Sequence, residues 1–305
     1  MIDAHYIPVK RVFIPLYTDY ALYCHRGDGN YILYKRAGIP IRKIVLERER
    51  HPPLFIHEND RAASLKMLQT RLSSRIDHSI ASGNAVEIKQ MLVEYVEEAL
   101  SDPRSGTLRL LPETTDMLIT KFSKNTSILK AIASMASKDY TTIAHSVNVM
   151  AFTMGFCFRH SYPEKEIRVF SLAALLHDLG KIHIPRDILA APRRLTDVEF
   201  EVMENHTLIG FDIIKQIRDL DPRVAEVALM HHEKINGGGY PRGIHDIPFI
   251  CQLIGFVDAY EALTSDERPY RRCENPFKTL FYLKKEMEEG RYSRNVFVQF
   301  TLSLE

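Results

Sequence analysis

The chain has 305 residues, enough for two domains of ordinary size, each burying a core of its own. Its 40 Lys and Arg balance 39 Asp and Glu, which excludes a broad basic surface for duplex nucleic acid or anionic membrane. Cys24, Cys157, Cys251 and Cys273 are scattered without a C-x-x-C pair, which excludes a zinc knuckle or redox dithiol and fits a reducing compartment.

The opening residues, Met1 to Tyr6, have neither the charged start nor the apolar core of a signal peptide. No uninterrupted apolar run reaches the length of a membrane span. A soluble, cytoplasmic protein is expected. Residues 1–60 alternate apolar and polar in short runs, such as Arg11-Val-Phe-Ile-Pro-Leu-Tyr17 and Tyr31-Ile-Leu-Tyr-Lys35, around the turn-like Arg26-Gly-Asp-Gly-Asn30. They predict a small strand-rich α+β domain with an input or regulatory role. Its Tyr17, Tyr20, Tyr23, Tyr31, Tyr34, Lys35 and Arg36 can be read as a ligand site or as ordinary strand residues, which favour aromatic types for packing. From about Glu58 the spacing turns helical, with Leu65, Leu68 and Leu72 and then Ile88, Met91, Leu92 and Tyr95. Residues 61–125 are therefore expected as a helical connector, punctuated at Ser101 to Gly106. Residues 126–305 read as a mainly α domain, helical apart from loops rich in Pro and Gly.

Inside that domain the helix signals fall beside histidines. The apolar run Val169, Phe170, Leu172, Ala173, Leu175 and Leu176 closes at His177-Asp178, with Gly180 placed as its stop. Thr196-Asp-Val-Glu199 has capping-box spacing and predicts the start of a helix carrying His206. Asp221-Pro222 offers an N-cap followed by proline, and the helix it starts ends at His231-His232. With His145 and Asp258 these make seven candidate ligands: His145, His177, Asp178, His206, His231, His232 and Asp258. Imidazole and carboxylate suit first-row transition metals, and a carboxylate beside a histidine can bridge two of them. A lone histidine is more often a surface or hydrogen-bonded core residue, and spacing alone leaves a metal site and a polar core network both open.

Two long motifs add to this reading. Leu176-His-Asp-Leu-Gly-Lys-Ile-His-Ile-Pro185 and His231-His-Glu-Lys-Ile-Asn-Gly-Gly-Gly-Tyr-Pro241 resemble, in order, the paired signatures of the HD-GYP family of cyclic di-GMP phosphodiesterases. The similarity runs from about Tyr140 to Arg271. The resemblance implies an HD-type helical bundle holding two transition-metal ions, iron or manganese, that hydrolyses cyclic di-GMP to pGpG or GMP through a metal-activated hydroxide. Carried over by motif position, His145, His177, Asp178 and Asp258 hold one ion and His206, His231 and His232 the other, with Asp178 bridging. Lys181 is expected near the nucleophile or the scissile phosphate, Tyr240 against substrate, and Arg268 and Arg271 on the nucleotide's phosphates.

The chain departs from the family pattern in places. Thr141 stands where some members have a glutamate that holds a third metal, so two ions are expected. Asn236 and Glu261 replace aspartates at positions that carry no ligand role in this scheme. The segment between Asp258 and Arg268 is one residue longer than usual, which bears on the two arginines and not on the metal ligands. A second reading is a catalytically weak receptor or interaction module, binding cyclic di-GMP or a GGDEF-type diguanylate cyclase through the Gly-Tyr-Pro loop. A third is an HD hydrolase acting on a mixed cyclic dinucleotide. No DNA or RNA partner is expected, and the oligomeric state is left open.

Overall fold

Alternation in the N-terminal residues produces four short strands, β1 (Tyr6–Val9), β2 (Leu22–His25), β3 (Tyr31–Lys35) and β4 (Leu54–His57). The computed structural model describes residues 5–26, 30–41, 52–100, 107–134, 141–265 and 274–304. The strands form one antiparallel sheet in the order β1-β4-β2-β3, with Tyr6 opposite His57, Tyr23 opposite Phe55 and His25 opposite Tyr31. Ile7, Val9, Leu22, Leu54 and Ile56 are buried, whereas Tyr6, Tyr23, Phe55 and His57 are half-buried. One sheet face therefore enters a core. The other carries rings in mutual contact, Tyr6 stacked on Tyr31 at 4.2 Å and Tyr31 edge-on to Phe55 at 4.9 Å. Tyr17 is fully buried, so it lines no surface site.

The chain divides into two compact units. The first comprises residues 1–78 and 91–114, the second residues 79–90 and 115–305. Residues 61–125, expected as a connector, supply α1 (Glu58–Ala81), α2 (Ala85–Leu100) and α3 (Leu111–Phe122), and are shared between the units. A buried ion pair ties the first unit together. Arg61 Nη1 donates to Glu98 Oε1 at 2.6 Å, the Tyr17 hydroxyl donates to the same oxygen at 2.9 Å, and both charged side chains are fully buried. Glu98 also accepts the backbone N–H of Lys10, so the carboxylate joins α1, α2 and the 3₁₀ turn at Arg11–Leu16.

The second unit is helical. It contains α4 (Thr126–Ser134), α5 (Thr142–Arg159), α6 (Glu164–Leu176), α7 (Arg186–Leu189), α8 (Asp197–Glu204), α9 (His206–Lys215), α10 (Pro222–Met230), α11 (Phe249–Thr264), α12 (Pro276–Glu288) and α13 (Arg294–Ser303). Helices α5, α6 and α11 are apolar over most of their circumference and bury it, which makes them the centre of the bundle. Phe256, Tyr260 and Phe300 interlock between α11 and α13, with ring centroids 5.1 to 5.4 Å apart. No helix among the described residues is long and apolar enough to cross a membrane.

Local signals set where these helices begin. Thr141 is the N-cap of α5, its hydroxyl accepting from Ala144 N–H. Thr196 and Glu199 form both halves of the capping box on α8, and Asp221 caps α10 ahead of Pro222. Two expectations change. The helix started at Thr196 ends at Glu204, and a break at Asn205 makes His206 the first residue of α9. Gly180 is not a helix stop in a left-handed conformation but part of the 3₁₀ turn Leu179–His183. A Cβ on it would lie 1.9 Å from the His206 carbonyl oxygen, so this glycine permits close backbone approach.

Candidate metal centre

Seven side chains, on or beside five helices, converge on one buried point. His145 lies in the first turn of α5, His177 caps the C-terminus of α6 with Asp178 next to it, and His206 opens α9. His231 caps the C-terminus of α10, followed by His232, and Asp258 lies within α11. The structure brings all seven sequence-expected ligands together. Ligand atoms of Asp178, His206, His231 and His232 lie within 4.8 Å of one another, as do those of His145, His177 and Asp178, and those of His177, His231 and Asp258. Gly255 permits the α10–α11 approach, since a Cβ there would sit 2.0 Å from the His231 carbonyl oxygen.

The carboxylate of Asp178 faces two histidine pairs with its two oxygens. Oδ2 is 3.4 Å from His177 Nε2 and 3.7 Å from His145 Nε2; Oδ1 is 3.4 Å from His206 Nε2 and 3.8 Å from His231 Nε2. Asp258 Oδ1 lies 3.0 Å from His145 Nε2 and its Oδ2 3.9 Å from His232 Nδ1. The five innermost side chains are 0 to 3% exposed, whereas Lys181, His232 and Asp258 are 22, 23 and 13% exposed and mark where the site opens.

Backbone carbonyls fix the tautomers. Nδ1 of His177, His206 and His231 donates to the carbonyls of Ala174, Met203 and Val227, and a carbonyl can only accept. The hydrogen is therefore on Nδ1, and each Nε2 presents its lone pair to the centre. His177 Nε2 and Asp178 Oδ1 are buried and have no hydrogen-bond partner among the described residues. Buried acceptors aimed at one another without donors are costly unless a cation sits between them, so the residues fit a metal.

The charge states agree. Burial, reinforced by neighbouring imidazoles, pushes His231 down to about 3 and His232 well below its ordinary value, and burial also lowers His206. All three stay neutral, the form a metal requires. Burial opposes the charge on Asp178, but the Lys181 ammonium, at 2.5 Å, overcomes it and holds the carboxyl well below its usual range. His145 differs. Burial would lower it, yet Glu261 and Asp258 raise it to about 9, so without a metal a proton occupies the space between His145 and Asp258.

Glu261, to which the family resemblance gives no ligand role, is a buried support. It accepts from His145 Nδ1 at 2.5 Å, Asn148 Nδ2 at 2.7 Å and Ser265 Oγ at 2.5 Å. A carboxylate on the far nitrogen of a ligand histidine fixes its ring and raises its basicity. The signal was present in the spacing: Asn148 and Glu261 each follow a candidate ligand by three residues on a helix. The Gly-Tyr-Pro loop has its own anchor, since Glu233, 4% exposed, accepts the backbone N–H of Arg242 and Ile244. Tyr240 packs its ring 4.6 Å from that of His232, at the open side. Lys181 is present at the centre through Asp178. Arg268 and Arg271 lie outside the described residues.

A helical bundle that gathers His and Asp from its inner helix ends, with His177-Asp178 as the shared pair, defines the HD class of metal-dependent phosphohydrolases. The HD-domain family matches residues 120–296, and the chain belongs to it. A cyclic di-GMP phosphodiesterase of Pseudomonas aeruginosa is 31% identical over 192 residues, 62% of this chain and 45% of the relative. A 3'3'-cGAMP-specific phosphodiesterase of Vibrio cholerae is 27% identical over 221 residues, 68% of this chain and 48% of the relative. The chain spans about half the length of the curated relatives it matches. An HDG"Y"P protein from Bdellovibrio bacteriovorus shares the fold, with a TM-score of 0.65 over 97% of this chain and 98% of that one at 18% identity.

Proposed function

We propose that the chain is a metal-dependent phosphodiesterase that hydrolyses cyclic di-GMP to pGpG or GMP at a binuclear iron or manganese site. The observation that carries this reading is Asp178, whose two oxygens face separate histidine pairs. In this scheme His145, His177, Asp178 and Asp258 hold one ion, and His206, His231 and His232 hold the other with Asp178 shared. When bound, the ions supply Lewis acidity toward the phosphodiester and lower the pKa of water to near neutrality. Burial keeps His206, His231 and His232 neutral, and Asp178 is held anionic. Lys181 adds positive charge at the open edge, where an anionic diester arrives. Burial, with the Asp258 carboxylate second, raises Tyr240, so its hydroxyl remains protonated and serves as a donor to substrate oxygen. Arg268 and Arg271 are assigned to the nucleotide's phosphates on their motif position.

Relatives named for cyclic di-GMP and for 3'3'-cGAMP support a cyclic dinucleotide as the substrate class, and the former are the basis for choosing cyclic di-GMP. The catalytic domain is assigned to residues 126–305 and an input role to residues 1–60. A cytoplasmic location and a GGDEF-type partner at the Gly-Tyr-Pro loop complete the reading. The test is anaerobic hydrolysis by protein loaded separately with ferrous iron and manganese, with metal quantified in each sample and Asp178→Ala as control. Turnover that the control lacks is expected. Filled sites with binding and no product would replace the enzyme by a cyclic-dinucleotide receptor, and preferential cleavage of cGAMP would replace the substrate.

A further inference from the structure

Tyr240 stands between the buried histidines and the exterior. Its ring centroid lies 4.6 Å from that of His232, tilted by 33°, and 5.9 Å from that of Phe200, at 82°. Phe200 belongs to α8, a helix with no buried residue, and keeps 46% of its surface exposed. A single exposed phenylalanine needs no explanation by itself. This one continues a row of rings that starts at a candidate ligand, His232, and it stands where the site opens. The exposed Phe200 ring and the partly buried Tyr240 ring meet near a right angle and form a corner, and a third planar ring packs into such a corner by stacking on one and meeting the edge of the other. Nucleobases stack on aromatic side chains whatever their identity, because every base has a π face.

We propose that Phe200 is the platform on which one nucleobase of a cyclic dinucleotide stacks while its phosphodiester is held at the His/Asp centre. The inference rests on the phosphodiesterase reading and adds a base subsite to it. Phe200 has no polar atom, so it strengthens binding of guanine and adenine alike and leaves discrimination between them to other groups. Its contribution falls on substrate binding in the ground and transition states equally, which places the effect in KM.

The experiment compares wild type, Phe200→Ala, Phe200→Leu and Phe200→Trp, each with metal quantified, in steady-state cleavage of cyclic di-GMP. A second measurement is the fluorescence quenching of a 2-aminopurine-containing cyclic dinucleotide on binding, which reports stacking directly. The Ala and Leu variants should raise KM about tenfold, with kcat within about twofold of wild type and with weaker quenching, whereas Trp preserves both. Should Phe200→Ala lose metal or fold poorly, Phe200→Leu decides, because it keeps an apolar contact with Tyr240 and removes only the ring. Wild-type KM and quenching in the Leu variant overturn the platform and leave the phosphodiesterase reading intact. Metal-filled wild type that neither cleaves nor binds any cyclic dinucleotide sinks both.

Discussion

Glu261→Ala removes the buried acceptor of His145 Nδ1, Asn148 Nδ2 and Ser265 Oγ, bonds of 2.5, 2.7 and 2.5 Å around a side chain that is 1% exposed. Hydrogen bonds to a charged group are worth about 1.5–3 kcal/mol each, but neighbours in one network do not add. The larger effect is what remains: a buried imidazole and a buried amide that have lost their shared acceptor, a loss of about 3–5 kcal/mol when one partner of a buried pair is removed. Glu261→Gln keeps an oxygen in place and loses the charge, so about 1–2 kcal/mol is expected. Both variants leave His145 less well oriented and less basic, and apparent metal affinity should fall about 10- to 100-fold, more for Ala than for Gln. Urea unfolding of the metal-free protein reads the first effect, and competition with a chelator at fixed manganese reads the second. Wild-type stability and metal affinity in Glu261→Ala would refute the assignment of Glu261 as the support of His145.

Metal loading should depend on pH. With His145 raised to about 9, folding of the metal-free protein is favoured by protonation there below the ordinary 6.5, and this contribution disappears as pH rises toward 9. Metal must displace that proton, so apparent affinity of the His145 side should climb about tenfold per pH unit up to that value, while the neutral His206, His231 and His232 load without it; a titration with equal pH slopes for both ions would contradict this. Gly255→Ala puts a methyl group against the His231 carbonyl and should cost about 3 kcal/mol with loss of metal, read by thermal unfolding and metal content. In the first unit, Arg61→Ala leaves Glu98 charged and buried and should destabilise by about 3–5 kcal/mol, whereas the double change Arg61→Met with Glu98→Leu should recover most of it; equal urea midpoints for both variants would refute the pairing argument.

Much of the candidate centre was legible in the chain because its ligands sit at punctuated places. The Asp221-Pro222 start and the apolar run ending at His177 locate two ligand-bearing segments through interactions that span only a few residues, so sequence alone determined them, whereas the capping box at Thr196 fixes a helix that stops short of His206. The paired motifs pointed to the family and to four of the seven candidate ligands, His177, Asp178, His231 and His232. Tertiary structure decided what depends on approach between distant segments. That Glu261 holds His145 across 116 residues, that Gly180 and Gly255 admit ligand-bearing carbonyls at distances no side chain would allow, and that Phe200 meets Tyr240 are all consequences of how helices pack. Helix periodicity records which face is apolar, but not which residue of another helix it meets. The orientation of Asp178, one oxygen toward each histidine pair, is likewise set only when α5, α6, α9 and α10 converge on it, since no local rule fixes where a carboxylate between two helices points.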